Sequence, residues 1–175
     1  MTRRLILVRH AKSSWAVEGM DDHDRPLNPR GRRSAAAIGR WLSDKGYLPE
    51  LVLSSDSART RETWQRLADE WPRDERPASP HVQFTSELYL ADPHTLLSLL
   101  QGLGSETTVL VLAHNPGIAE AAMQLAIAIP EQAQFSRYPT GATAVFDIDI
   151  DDWRSLGWRT AVLRDFVVPR ELPES

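Results

Sequence analysis

The chain predicts an α/β fold, a three-layer α/β/α sandwich whose central sheet is mostly parallel but mixed. Three observations carry that expectation. Leu5 to Val8, Leu51 to Leu53 and Thr107 to Leu112 are apolar without alternation, the pattern of strands covered on both faces. Segments with apolar residues at helical spacing separate them, as crossovers between parallel strands require. Near the C-terminal end, Ala142 to Ile148 and Thr160 to Val168 have strand character with no helical segment between them. That makes the last pair a hairpin and the sheet mixed.

The elements follow in order. Leu5-Ile6-Leu7-Val8 is a buried strand that delivers Arg9 and His10 at its C-terminal end. From Ser34 to Lys45, Ile38, Trp41 and Leu42 repeat at helical spacing, and Gly46 supplies a stop. A second strand over Leu51 to Leu53 runs into Ser54, Ser55, Asp56 and Ser57, all residue types that cap helices, with Ser54 the expected cap. Ala58, Arg59 and Thr60 open that helix; Trp64, Leu67, Ala68 and Trp71 form its stripe, and Pro72 ends it. Pro72 to Pro80 reads as an exposed charged loop and not a domain boundary. A short strand over Val82 to Phe84 precedes a leucine-rich helix from Pro93 to Leu103. The strand from Thr107 to Leu112 leads to His114-Asn115-Pro116-Gly117, after which Ile118, Ala121, Ala122, Leu125 and Ile129 continue at helical spacing. Trp41 and Trp64 are expected in the core and Trp15 beside the His10 loop.

The whole-chain properties bound the function. A length of 175 residues suits a single domain spanning 1–175, and 42% apolar with 25% charged residues is ordinary globular composition. A net charge of −4 gives no global field for nucleic acid or an anionic membrane, so any anion site must be local. Absence of cysteine excludes disulfides, thiolate metal sites and cysteine nucleophiles, and agrees with a reducing cytoplasm. The apolar run after Met1 stops at Val8, short of a signal peptide, and no stretch approaches the roughly 20 apolar residues of a membrane helix. The expectation is a cytoplasmic protein, with a monomer favoured.

In open α/β sheets, ligands bind beyond the carboxyl ends of strands. That rule gathers Arg9, His10, Ser54 to Arg59 and His114 at one edge. Guanidinium groups match the equatorial oxygens of a phosphoryl group in flight with paired, permanently charged donors, and Arg9 and Arg59 fit that role without a metal or cofactor. A neutral imidazole is a good nucleophile for phosphorus, and a covalent intermediate splits one hard displacement into two easier ones. Of two histidines, one can attack while the other donates a hydrogen bond.

The stretch Arg9-His10-Ala11-Lys12-Ser13-Ser14-Trp15, followed by Asp22-His23-Asp24-Arg25-Pro26-Leu27 and Arg30-Gly31, resembles the SixA-like phosphohistidine phosphatase branch of the histidine phosphatase superfamily. Ser54-Ser55, Arg59-Thr60, Glu62-Thr63 and His114-Asn115-Pro116-Gly117 extend the resemblance over most of the chain in the expected order. It implies a phosphoglycerate mutase-like fold, His10 as the nucleophile, Arg9 and Arg59 as phosphate ligands, His114 as the second histidine and Arg25 as a further pocket residue. Two positions depart from the broader superfamily: Ala11 follows the Arg-His pair and Ala113 precedes His114 where glycine is common. Asp22 matches the acidic position of the compact branch and is the expected proton donor, with Glu87 as its rival. Ser13 and Lys12 are expected either to contact phosphate or to remain solvated.

An imidazole leaves phosphorus more readily than an alkoxide and needs less help from an acid. The expected activity is therefore hydrolysis of phosphohistidine, with a phosphorylated protein such as a histidine phosphotransfer domain as partner. The alternatives are a phosphomonoesterase for small phosphorylated metabolites and a non-catalytic phosphate-binding module. Asp22 has a second reading as an ion-pair partner of Arg25. His23 with Asp21, Asp22 and Asp24 imitates a metal site but reads as a solvated loop, and Asp147 to Asp152 lacks the glycine and glutamate of a calcium loop. His81 and His94 read as structural or exposed.

Overall fold

A computed structural model describes residues 1–72 and 80–173. Six strands form one sheet: β1 (Thr2–Arg9), β2 (Leu51–Ser55), β3 (His81–Thr85), β4 (Thr108–Ala113), β5 (Thr143–Asp149) and β6 (Ala161–Val167), in the order β3-β2-β4-β1-β5-β6. The first four strands run parallel; β5 is antiparallel to β1, and β6 to β5. The helices are α1 (Pro29–Lys45), α2 (Ala58–Asp69), α3 (Pro93–Gln101), α4 (Gly117–Leu125) and α5 (Ala133–Arg137).

The unalternating strands follow from the layers. Leu5 and Leu7 of β1 and Val109 and Val111 of β4 pack with Leu96, Leu100 and Ile118 from α3 and α4. Their neighbours Ile6, Val8, Leu110 and Leu112 point the other way, onto Ile38 and Leu42 of α1 and Leu67 of α2. Successive residues of a strand face opposite sides, so a strand covered on both sides must be apolar at every step. Trp41 and Trp64 are partly buried against the second cluster, as expected, while Trp71 and Trp153 are the more deeply buried tryptophans.

Several boundaries differ from the sequence expectation. α1 begins at Pro29 rather than Ser34, because the Asn28 side chain accepts from the Gly31 N–H and Pro29 takes the first turn. Ser54 is not the cap of α2; it lies fully buried in β2, and Ser57 caps the helix by accepting from the Thr60 N–H. α4 stops at Leu125 instead of reaching Ile129, because Ala126 turns extended and bridges to Ala161 of β6. The short helix α5 was not foreseen; Phe135, fully buried, anchors it. The charged loop expected from Pro72 to Pro80 falls mainly on residues outside those described. Among the described residues, no helix is long and apolar enough to cross a membrane.

Candidate active site

The carboxyl ends of β1, β2 and β4 open onto a cavity of about 300 Å³, whose lining includes Arg9, His10, Lys12, Ser13, Trp15, Arg25, Arg59, Leu90 and His114. The structure thus brings together both histidines and the arginines singled out in the sequence. Asp22 sits behind Arg59. Glu87 is exposed and does not line this cavity.

His10 follows the last residue of β1 and is only 5% exposed. Its Nδ1 lies 2.7 Å from the Ala11 carbonyl oxygen; a carbonyl only accepts, so Nδ1 carries the proton and Nε2 keeps its lone pair. Burial, reinforced by the charges of Arg9 and Arg59 and partly opposed by the Ala11 bond, pushes the imidazole down to about 3. At neutral pH the ring is therefore uncharged. Its centroid lies 5.2 Å from that of His114.

His114, one residue beyond β4, faces the Ser55 hydroxyl through Nε2 at 2.8 Å and Arg59 Nη2 through Nδ1 at 3.4 Å. A guanidinium only donates, so Nδ1 accepts and Nε2–H donates to Ser55 Oγ. Burial first, then Arg59, brings this ring down to about 4.

The loop carrying His10 is fixed from three sides. The Ala11 N–H donates to Thr63 Oγ1 at 3.0 Å, and that hydroxyl donates back to the Arg59 carbonyl at 2.7 Å. Ser13 bridges Leu27, with the Ser14 N–H on the Pro26 carbonyl and the Asn28 N–H on that of Lys12. Gly31 presses α1 against the same loop: a Cβ there would stand 2.1 Å from the Lys12 carbonyl oxygen. Ala11 itself, one of the two departures from glycine, keeps an ordinary negative φ and packs with Leu27 and Ala35. The substitution of alanine for glycine therefore costs no backbone strain.

Arg9 donates through Nη1 to the Tyr138 carbonyl at 3.1 Å, and its buried Nε has no partner among the described residues. Burial, and then the nearby charge of Arg59, weaken its hold on its proton. Arg59, 3% exposed, spends Nη1 on the Asp22 backbone carbonyl at 2.7 Å and Nη2 on Asp22 Oδ2 at 2.9 Å. Asp22 also accepts from the Tyr89 hydroxyl and, at 3.2 Å, from Arg25 Nε. These donors, Tyr89 first and then Arg59, hold its carboxyl down to about 2. Arg25 is 7% exposed, bonds the Ser14 carbonyl and stacks on Trp15 with its guanidinium carbon 3.4 Å from the ring centre. Trp15 thus walls the cavity, as its place in the loop suggested.

Tyr89, Ser55 and Thr63 act here without having been singled out for a role. Each is a neutral hydroxyl whose significance lies in its distance to a charged neighbour, which no local pattern encodes. His23 is not simply solvated: its Nε2 is 2.8 Å from Asp56 Oδ1. Among the described residues, no three histidines or carboxylates lie close enough to hold a metal ion.

Residues 5–80 match the family model of the histidine phosphatase superfamily, branch 1. An uncharacterized protein of Mycobacterium leprae is 34% identical over 171 residues, 93% of this chain and all of that one. Among solved structures, a SixA from Nakamurella multipartitia described as a putative phosphohistidine phosphatase superposes with a TM-score of 0.78 at 31% identity, covering 97% of each chain. The corresponding SixA from Agrobacterium tumefaciens gives 0.74 at 30% identity over 95% of this chain and 98% of that one. A phosphoglycerate mutase from Plasmodium falciparum shares the fold at a TM-score of 0.59 and 21% identity, with 95% of this chain and 91% of that one covered. The chain has a phosphoglycerate mutase-like fold and belongs to the histidine phosphatase superfamily, in its SixA-like branch.

Proposed function

We propose that the protein is a phosphatase for phosphohistidine on proteins, working through a covalent phosphoryl group on His10 and without a metal ion. The observation that carries the choice of substrate is that, among the described residues, the cavity has no standing acid. Asp22 is an anion pinned by Arg59 and Tyr89, and Glu87 lies outside the cavity. An alkoxide leaving group needs a proton as it departs; an imidazole whose distal nitrogen is protonated departs neutral. The exposed rim supports a protein substrate, since Trp15 and Leu90 line the cavity yet are 77% and 56% exposed.

In this mechanism Arg9 and Arg59 grip the phosphoryl oxygens, and His10 Nε2 attacks phosphorus in line with the departing ring. One P–N bond forms on His10 as the substrate P–N bond breaks. The His10 ring becomes cationic, and its Nδ1–H stays on the Ala11 carbonyl, which stabilises that charge. Water then attacks phosphorus, the P–Nε2 bond breaks, and His10 returns to the neutral tautomer it began with. The water's protons remain with the phosphate released. His114 holds Arg59 from behind through Nδ1.

A second reading, hydrolysis of small phosphomonoesters, draws on Asp22. An arriving phosphate competes for Arg59 and brings negative charge close to Asp22, both of which raise the affinity of its carboxyl for a proton. Brief incubation with a labelled phosphohistidine peptide followed by alkaline quench should leave acid-labile phosphate on His10. His10→Ala should lose both the label and turnover, by at least about 10³-fold. Full turnover in that variant would refute the mechanism, and efficient hydrolysis of sugar phosphates with none of phosphohistidine would refute the substrate.

A further inference from the structure

Beside the reacting cavity lies a basin of about 230 Å³, and Lys12 and Thr140 line both. The rest of its wall includes Arg30 from the first turn of α1, Ser34, Gln134 and Arg170. Arg30 and Arg170 continue into a smaller recess of about 50 Å³, which adds Arg33. Among the described residues, no carboxylate lines the basin or the recess. The cations thus form a track leading away from the His10 cavity: Lys12 at the cavity, Arg30 and Arg170 in the middle, Arg33 at the far end.

Arg4, Arg25, Arg32, Arg40, Arg59, Arg66, Arg154 and Arg164 are each paired with a carboxylate. Among the described residues, Lys12, Arg30, Arg33 and Arg170 have no ion pair, in a chain whose net charge is −4. Three other exposed arginines, Arg61, Arg137 and Arg159, also lack an ion pair among the described residues, but none of them lines the basin or the recess. A cluster of unneutralised cations is unfavourable by itself and becomes favourable against an anion. All four are exposed, so each contact is weak and screened by salt. A small molecule touching one of them gains little. An extended segment touching several at once gains their sum, and carboxylates match guanidinium groups with paired hydrogen bonds.

We propose that this track is a substrate-selecting subsite for acidic residues flanking the phosphorylated residue of a protein substrate. The proposal rests on the phosphohistidine reading for its substrate, but its own content is the charge preference. The test uses two phosphohistidine peptides, one with aspartate and glutamate flanks and one with serine and glycine flanks. Against them are set the wild type and the triple variant Arg30→Gln, Arg33→Gln, Arg170→Gln. The acidic peptide should show a KM about tenfold lower than the neutral one at low salt, as two or three exposed pairs allow. The triple variant and about 0.5 M salt should each erase that ratio while leaving kcat and the neutral peptide's KM unchanged. The corresponding triple lysine variant should keep most of the preference, which separates charge from folding. Equal KM values for the two peptides in the wild type, or an acidic preference that survives in the glutamine variant, would overturn the proposal. Fluorescence anisotropy of the labelled peptides on His10→Ala protein gives the same ratio as dissociation constants. A binding preference without any wild-type turnover would overturn the phosphohistidine reading while supporting the subsite; turnover without the preference would do the reverse.

Discussion

The two sides of the reacting cavity are built differently. On the His10 side, both histidines are buried and neutral, and the His10 loop is held by α2, by the Pro26–Leu27 segment and by the close approach of α1. On the Asp22 side, the carboxylate is 45% exposed and its principal partners, Arg59 and Tyr89, come from different parts of the chain. The first side is tied down by backbone contacts; on the second, an anion competing for Arg59 would release one of the bonds that hold Asp22. The contrast suggests that phosphate handling and phosphoryl transfer are fixed, while the chemistry of the leaving group is adjustable.

Breaking the link between the two sides should have the largest effect. Arg59→Ala removes the proposed phosphate ligand and the anchor of Asp22 together, and kcat/KM should fall by about 10²–10³, mostly through kcat. Next comes the support of the His10 loop. Thr63→Val leaves the buried Ala11 N–H without its acceptor and should destabilise the protein by about 1–3 kcal/mol in urea unfolding, with a drop in kcat that Thr63→Ser largely restores.

Asp22→Asn sharpens the comparison. Phosphohistidine turnover should change by no more than about threefold, whereas any turnover of an alkyl phosphate should fall by about 10², the usual worth of a general acid. Equal losses on both substrates would show that Asp22 serves only to hold Arg59. The His10 side has its own signature in pH. Both histidines have folded values, about 3 and about 4, below the ordinary 6.5. Below pH 6.5 the unfolded chain therefore binds protons that the native state refuses, and stability declines as pH falls through that window. The slope should approach about 1 kcal/mol per pH unit for each histidine. Thermal unfolding between pH 7 and 4 should show it, with a shallower slope in His114→Gln.

Most of the fold could be read from the sequence because double-sided burial leaves a simple mark, as in Leu5 to Val8. The start of α1 could not, since Arg30 to Arg33 lie before its apolar stripe and the signal sat in Asn28-Pro29 instead. Ser54 was taken for a cap because four consecutive residues suit that role, and only the path of β2 decides that Ser57 fills it. His10, Arg9, Arg59 and His114 were legible as residues at strand ends, which topology must gather. The tie of Asp22 to Tyr89 was not, because 67 residues separate two groups that meet only in the folded chain.

Helix α2 has a consequence of its own. Arg59, Glu62 and Thr63 stand three and four residues apart on one face, and one turn of helix thereby grips Asp22, the Leu27 N–H and the His10 loop. The three contacts cannot be tuned separately by sliding or rotating that helix. Changes that redirect this enzyme to new substrates should therefore accumulate in the Asp22 loop and around the mouth, while α2 tolerates almost none.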